Sequence, residues 1–576
     1  MMLVGRFWRD TWALLKPYWA SKEKGPAWLL LGAVVGLTLA TVYMNVLFNG
    51  WYNSFYDALQ AKDRAQTYHQ LLRFCVLAAI YIAIAVYLFY LNQWLQLRWR
   101  RWMTGRYLRE WLVGGTYYRL QVAGPPADNP DQRIAEDLRL VVDGTLSLGL
   151  GLLNAVVTLG SFVGILWRLS GPMSFRLGRN VWALPGYLVW LALLYAAAGT
   201  WLTHRLGRPL VKLNFQQQRY EADFRFGLVR FRESAEQVAL SRGERDELTI
   251  LRGRFRGVLD NFWRIVKRQK ILNFFTVGYN QAAVIFPFVV GLPRFLSGAI
   301  QLGGLIQISN AFGQVQTSLS WFVGAYTTFA AWRATADRLQ GFRAAMRQAR
   351  REMAERPGIA VGEGREDALV LDHLTLSLPD GQQLLPSLDT RVQRGESLLV
   401  RGPSGCGKST LFRAIAGVWP FGSGAVEWPA QFDPMFLPQR PYLPLGTLRE
   451  VVSYPARPGD TRSEEVAEAL RACDLAHLVG RLDESRPWAL ELSPGEQQRI
   501  AFARVLLHRP SWLFLDEATS AVDSQLELRL YGLLAERLKD TTLVSIGHRE
   551  GLARYHARTL ELGERDGGRR QLPRVS

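Results

Sequence analysis

Six stretches of the chain, at residues 27–49, 74–97, 141–167, 181–203, 271–293 and 302–332, are dominated by apolar side chains. Each is near or above the ~20 residues that an α-helix needs to cross the hydrocarbon of a bilayer. Trp, Tyr and Arg gather at their ends, where a membrane meets water. Buried helices of a large soluble core could give similar runs, but six within one half of the chain make that a poor account. The connections alternate in length. Spans one and two, three and four, and five and six are joined by short segments, whereas residues 98–140 and 204–270 are long, rich in Arg and full of helix formers. Those long connections belong in the cytoplasm, the side that retains Lys and Arg. They predict helices continuing beyond the bilayer, with one turn at Gly124-Pro125-Pro126 and another near 233–243. Ahead of the first run, Phe7, Trp8, Trp12, Leu15 and Trp19 recur at helical spacing among basic neighbours, which suits a helix lying in the membrane interface. A partly buried soluble helix is the alternative.

Composition sharpens this picture. The 576 residues are 49% hydrophobic and include 20 Trp, apolar-rich for a soluble enzyme of that length. The formal charge of +19 raises the question of a nucleic-acid partner. The Arg residues, however, lie in blocks flanking the apolar runs, so the charge is expected to set membrane orientation and no nucleic-acid partner is expected. Arg9, Asp10, Lys16 and Pro17 interrupt the N-terminal pattern, so a cleaved signal peptide is not expected. Cys75, Cys406 and Cys473 are scattered, with no partner at metal or disulfide spacing. No Asp or Glu lies well inside any span, which argues against a proton relay as energy source. The last span carries Gln307, Asn310, Gln314 and Thr317 at spacings of three and four, a neutral polar stripe on one helix face. It either lines a water-filled cavity for a polar or amphipathic solute or bonds to neighbouring helices.

The second half carries the candidate chemistry. Gly402-Pro403-Ser404-Gly405-Cys406-Gly407-Lys408-Ser409-Thr410 follows the apolar run 397–400 and precedes the helix-like run 411–417. Strand, glycine loop and helix in that order are the context a phosphate-binding loop needs. The glycines let backbone N–H groups approach phosphates, Lys408 neutralises β and γ oxygens, and Ser409 offers a hydroxyl to Mg²⁺. Further on, Trp512-Leu513-Phe514-Leu515 ends in Asp516-Glu517, a buried strand delivering two carboxylates at its polar end. Asp516 suits a Mg²⁺-holding role and Glu517 that of a general base polarising water. Between these motifs lies Leu492-Ser493-Pro494-Gly495-Glu496-Gln497-Gln498-Arg499. Ser493 can cap a helix, Pro494 fits its first position, and Glu496 completes a capping box. The helix is either simply capped, or its positive end closes over a γ-phosphate held by the loop of another subunit.

Together with the run 436–450 containing Gln439, the run 513–523 ending at Asp523, and Ser545-Ile546-Gly547-His548-Arg549, these motifs resemble an ABC nucleotide-binding domain. Within that superfamily the chain resembles the SbmA/BacA-like branch with a fused ATPase, bacterial relatives of the peroxisomal fatty-acyl subfamily D. Residues 128–139 and 221–247 look like that branch's cytoplasmic coupling segments, and the likeness spans nearly the whole chain. It implies an α-helical six-span transmembrane domain of the exporter type, with helices extended into the cytoplasm, followed by an α/β P-loop ATPase. The expected divisions are an interfacial helix at 1–25, the spans at 26–335, a helix and linker at 336–367, the ATPase at 368–562 and a basic flexible tail at 563–576. By the same resemblance Gln439 links Mg²⁺ and γ-phosphate to the coupling segments, His548 is the switch beside the γ-phosphate, and Asp523 lies at the dimer seam. Ser493, Gly495 and Glu496 of one copy would close on ATP in the loop of a second copy.

Two departures stand out. The serine motif reads LSPGE where most relatives have LSGGQ, which removes one backbone donor. No Phe, Trp or Tyr lies between His373 and Pro403 to stack on adenine. The expected cargo is a polar or amphipathic solute, peptide-like or cobalamin-like, carried inward across a bacterial inner membrane. A fatty-acyl or lipid cargo, an exporter, and a regulatory ATPase without cargo are the alternatives. Attaching a bulky maleimide to Cys406, in a chain whose Cys75 and Cys473 are replaced by Ala, is expected to abolish ATP binding; retained binding by the alkylated protein would contradict the placement of Cys406 in the phosphate loop.

Overall fold

The computed structural model describes residues 2–123, 129–177, 180–355, 358–456 and 459–563, with 565–566, 569–570 and 574–575 beyond them. The turn expected at Gly124-Pro125-Pro126 lies outside the described residues. The chain forms two compact units, Met1–Arg109 with Asn129–Arg343 and Glu110–Asp128 with Ala344–Ser576.

In the first unit the apolar runs are helical, because inside hydrocarbon every backbone N–H and C=O must find its partner within the segment. Helix α1 (Met2–Trp19) precedes six long helices: α2 (Lys24–Gln60), α3 (Arg64–Leu112), α4 (Leu138–Ser170), α5 (Tyr187–Glu233), α6 (Glu244–Leu296) and α7 (Leu302–Glu355). Among the described residues, Lys24–Gln60, Arg64–Val122, Pro130–Ser170 and Glu244–Leu296 are long and apolar enough to cross a membrane. Helices α5 and α7 are as long but more polar. The fourth run begins later than expected: residues 180–185 form a strand, Asn180–Pro185, paired antiparallel with Pro172–Leu177. Pro185 ends that strand, Gly186 takes a left-handed φ of 68°, and the helix can start only at Tyr187. The second expected turn is present, where Ser234 breaks α5, a short helix occupies Ala235–Ser241, and Arg242 at φ 53° precedes α6.

Lipid tails do not drive helices together, so close packing must. A Cβ on Gly144 would lie 2.6 Å from the Trp332 ring, and one on Gly199 would lie 2.3 Å from Tyr279, so glycine admits an aromatic ring at both crossings. Trp332 Nε1 donates to Thr145 Oγ1 at 2.9 Å. Tyr195 and Tyr279 stack at 4.5 Å and each donates its hydroxyl to the other's carbonyl, at 2.6 and 3.1 Å, joining α5 to α6. Helix α1 buries Phe7, Leu14, Leu15 and Tyr18 against the bundle and leaves Trp8 and Trp12 more than half exposed.

In the second unit, strands β1 (Leu398–Arg401), β2 (Pro434–Leu437), β3 (Trp512–Asp516), β4 (Thr542–Ile546) and β5 (Arg558–Glu561) form a parallel sheet in the order β5-β1-β4-β3-β2. Residues Trp512 to Leu515 are all 1% exposed or less, as a strand covered on both faces requires. Three helices matter for function: α8 (Lys408–Ile415), α9 (Pro494–His508) and α10 (Ser524–Arg537). A second, four-stranded sheet contains Gln383–Gln393, Ala368–Ser377, Gly422–Trp428 and Ala360–Glu363. The last of these overlaps the stretch expected as linker. It is instead an edge strand pairing parallel with Ala425 to Trp428, a partner some 65 residues away that composition does not reveal. Of the tail expected to be flexible, Arg574–Val575 pairs with β5 and much of the rest lies outside the described residues. Val122, in the short helix Thr116–Ala123, packs against this unit's apolar core.

In the first unit, a five-residue π-helical turn, Arg133–Asp137, leads into α4. Asp137 is 1% exposed and accepts from Arg133 at 2.5 Å and from Arg338 of α7 at 2.7 and 3.0 Å. Replacing Asp137 by Ala leaves two guanidinium groups without this carboxylate, one of them buried. Thermal unfolding in detergent is expected to show a loss of about 3 kcal/mol, and an unchanged midpoint would remove the trio from the framework of the bundle.

Candidate nucleotide site

Strand β1 delivers the loop 402–407 and α8 receives it. Gly402, Gly405 and Gly407 have φ of 152°, 77° and 104°, and a Cβ on Gly402 would meet the Leu562 carbonyl at 2.7 Å, so the turn cannot close with a larger residue there. Lys408 is 6% exposed, and its ammonium donates to the Gly402 and Pro403 carbonyls at 2.8 and 3.0 Å. Ser409 Oγ donates to Asp516 Oδ1 at 3.0 Å. Thr410 and Cys406 are buried, while Ser404 and Gly405 face solvent.

Strand β3 ends at Asp516, and Glu517 takes a left-handed φ of 48°, a costly conformation for this residue and one concentrated at functional sites. Its N–H donates to the Ile546 carbonyl at the end of β4. One Glu517 oxygen accepts from Gln439 Nε2 at 3.3 Å; the other lies 3.1 Å from His548 Nε2. Lys408 and Ser409, Asp516 and Glu517, and Gln439 and His548, from four separate motifs, are thereby linked around the ends of neighbouring parallel strands. Burial pushes the Asp516 carboxyl above the ordinary range, opposed by the Ser409 bond and reinforced by the Glu517 charge. A hard cation beside that hydroxyl and carboxylate would relieve the strain of two adjacent acids, and the oxygen donors fit Mg²⁺.

Ser493 caps α9 as expected. Its hydroxyl accepts from the Glu496 N–H at 3.3 Å and donates to Glu496 Oε2 at 2.7 Å, while the Ser493 N–H donates to the same oxygen at 2.9 Å. Gly495 follows without a side chain where a Cβ would sit 3.0 Å from the Ala521 carbonyl. Glu496 Oε1 lies 3.0 Å from His477 Nε2. Burial raises the Glu496 carboxyl, but the Ser493 and His477 contacts outweigh it and hold the group below its usual range. Asp523 caps α10 by accepting from the Leu526 and Gln525 N–H groups, which lowers its carboxyl. The side chain brought up to the loop by Gln383–Gln393 is aliphatic: Leu384 Cβ lies 3.7 Å from a Cβ built on Gly407.

Sequence reasoning missed Gln498, 3% exposed on α9. It donates to the Gln439 carbonyl at 2.9 Å and to Ser520 Oγ at 3.0 Å, and accepts from the Ala521 N–H at 2.9 Å. One side chain thus joins the Gln439 loop, α9 and the segment after Glu517. Its only signal was a second Gln in the serine motif. Arg504, 7% exposed, was missed too; it donates to the Val451 and Tyr442 carbonyls, and burial brings it down to about 10.

The polar stripe of α7 divides. Asn310 and Gln314 line a cavity of about 360 Å³ in the first unit together with Asn45, Asn49, Tyr52 and Tyr81. Gln307 and Thr317 are outside that lining; the Gln307 carbonyl accepts from Asn49 Nδ2 at 3.1 Å, and Thr317 is exposed.

A phosphate loop, an acidic strand end and a capped serine helix, carried on one chain with long apolar helices, define a membrane-bound P-loop ATPase. Residues 14–296 match the family described as ABC transporter transmembrane region 2, and residues 385–520 match the ABC transporter family. The chain is 34% identical to the inner membrane ABC transporter ATP-binding protein YddA of Escherichia coli over 94% of both chains. It is 33% identical to ABC transporter D family member 2, chloroplastic, of Arabidopsis thaliana, over 97% of this chain and 86% of that one. It is 27% identical to the human lysosomal cobalamin transporter ABCD4, over 84% and 82%. In fold it is similar to a bacterial Atm1-family ABC exporter with ATP bound, with a TM-score of 0.67, 19% identity and 94% of each chain covered. The chain belongs to the ABC transporters: it is a half-transporter with a fused ATPase, related to the D family, and it couples ATP hydrolysis to transport.

Replacing Gln498 by Leu strands the Ala521 N–H and the Gln439 carbonyl. The ATPase unit is expected to lose about 2–3 kcal/mol, read by thermal unfolding, and kcat for ATP is expected to fall more than KM rises.

Proposed function

We propose that two copies of this chain, of the SbmA/BacA-like branch and set in a bacterial inner membrane, sandwich two ATP molecules and carry a polar or amphipathic solute inward. The observation behind the catalytic part is the convergence of Gln439 and His548 on the Glu517 carboxylate beside the Ser409–Asp516 pair. Lys408 and the N–H groups of residues 404–410 hold the phosphates. Ser409, Asp516 and Gln439 would hold Mg²⁺, which supplies charge neutralisation on the β and γ oxygens. Glu517 polarises the attacking water, and His548 orients it against the γ-phosphate. Ser493 and Gly495 of the second copy close the site, and Asp523 lies at the seam. Each motif occurs once per chain, which is why a pair is needed. Closure on ATP and separation after hydrolysis then drive the spans between inward-open and outward-open states.

The cargo reading rests on the neutral cavity of amides and aromatic rings around Asn310 and Gln314, with no charged side chain in its lining. The name of the human relative, a cobalamin transporter, agrees with a polar solute. A second reading, a fatty-acyl or lipid cargo, has its own observation: an apolar groove of about 510 Å³ lined by Trp8, Trp12, Leu152, Trp321, Phe322 and Trp332.

A Glu517→Gln variant is expected to bind ATP, to stay paired in its presence and to lose at least about 100-fold in turnover; hydrolysis at the native rate removes Glu517 from the role of base. In oriented proteoliposomes, stimulation of the ATPase by neutral peptides or cobalamin rather than by fatty-acyl compounds decides the cargo class. The side on which solute accumulates decides direction.

A further inference from the structure

We propose that His477 is a positioning residue of the composite ATP site: it compensates the charge of Glu496 so that the Ser493 hydroxyl can turn to the γ-phosphate. The inference rests on the paired-chain reading above. A hydroxyl has one proton, and that of Ser493 is directed at Glu496 Oε2, 2.7 Å away. A phosphate oxygen can only accept. For Ser493 to serve it, the proton must leave the carboxylate and point outward, while Glu496, one turn into the same helix end, keeps a negative charge facing the incoming triphosphate. That is the electrostatic cost of a Glu in this motif.

His477 meets it on the other side. The Nε2 atom lies 3.0 Å from Glu496 Oε1, with side-chain exposures of 56% and 21%. An imidazolium there makes the helix end neutral as a unit, and a neutral imidazole leaves it at −1. The surrounding charges are committed elsewhere. Asp474 faces Arg499 at 3.4 Å and Arg529 at 3.9 Å, and Arg481 and Arg486 take Glu484 and Glu491. The readiness of Ser493 to release its carboxylate bond therefore falls when the imidazole loses its proton, and histidine is the side chain that exchanges a proton near neutral pH. The contact His477 makes is with Glu496, and it is through Glu496 that it acts.

Three full-length proteins in nanodiscs separate this from a purely structural contact: the native chain, His477→Gln, which keeps a hydrogen bond without the charge, and His477→Lys, which keeps the charge at every pH. KM for ATP and kcat are measured from pH 6 to 8.5. The native KM is expected to rise about three- to fivefold across the range, the size of an exposed charge pair. His477→Gln should show the high KM throughout and His477→Lys the low one throughout, with similar kcat and similar unfolding temperatures. Any pH dependence arising elsewhere in the site is common to all three and cancels in the comparison. Equal KM and equal pH profiles in the three proteins overturn the proposal. ATP-dependent pairing of Glu517→Gln chains is measured alongside; if it is absent, the paired-chain reading fails and takes this inference with it, whereas pairing with flat profiles condemns His477 alone.

Discussion

Lys408 is nearly buried, and its ammonium is directed at two carbonyl oxygens of the loop that carries it. A cation withdrawn from water must be met by dipoles, and here they belong to Gly402 and Pro403, whose carbonyls turn inward only because the glycines allow the loop its left-handed angles. The polar groups at the neighbouring strand ends are partnered too: Ser409 is held by Asp516 and Glu517 by Gln439 and His548, while Ser493, which would serve the loop of a second copy, is held by Glu496. A triphosphate entering such a site exchanges partners rather than adding them, so binding and rearrangement are one event.

Gln498 shows how movement at one point reaches others. It ties the loop that presents Gln439 to the helix that presents Ser493 and to the segment after Glu517. A shift of any of the three must be shared or must break a buried hydrogen bond, at about 1–3 kcal/mol. In the membrane unit the binding forces differ. With no hydrophobic effect between helices, contact relies on glycine opposite aromatic rings and on hydroxyl-to-carbonyl bonds such as those between Tyr195 and Tyr279. The fully buried acid with two arginines, Asp137, sits just outside the apolar part of α4, where water still reaches Arg338.

What the sequence alone determined was local. The helices followed from apolar runs of membrane length, the phosphate loop from its glycines between strand and helix, and the Ser493 cap from a serine followed by Pro494 and Glu496. Each of these is written within a dozen or two consecutive residues, because backbone geometry, helix capping and hydrocarbon length act over that range. What only the tertiary structure decided was which distant residues meet. Asn49 bonds the Gln307 carbonyl 258 residues away, and of the polar stripe of α7 only Asn310 and Gln314 line the cavity. The supposed linker became a strand because Gly422–Trp428 offers it an edge, and the fourth span lost its first turn because residues 180–185 found a partner across a hairpin. His477 meets the Glu496 carboxylate 19 residues along the chain only in the folded domain. Composition is silent on such meetings, since the free energy that selects them comes from burial and pairing across the fold rather than from any segment's own preference.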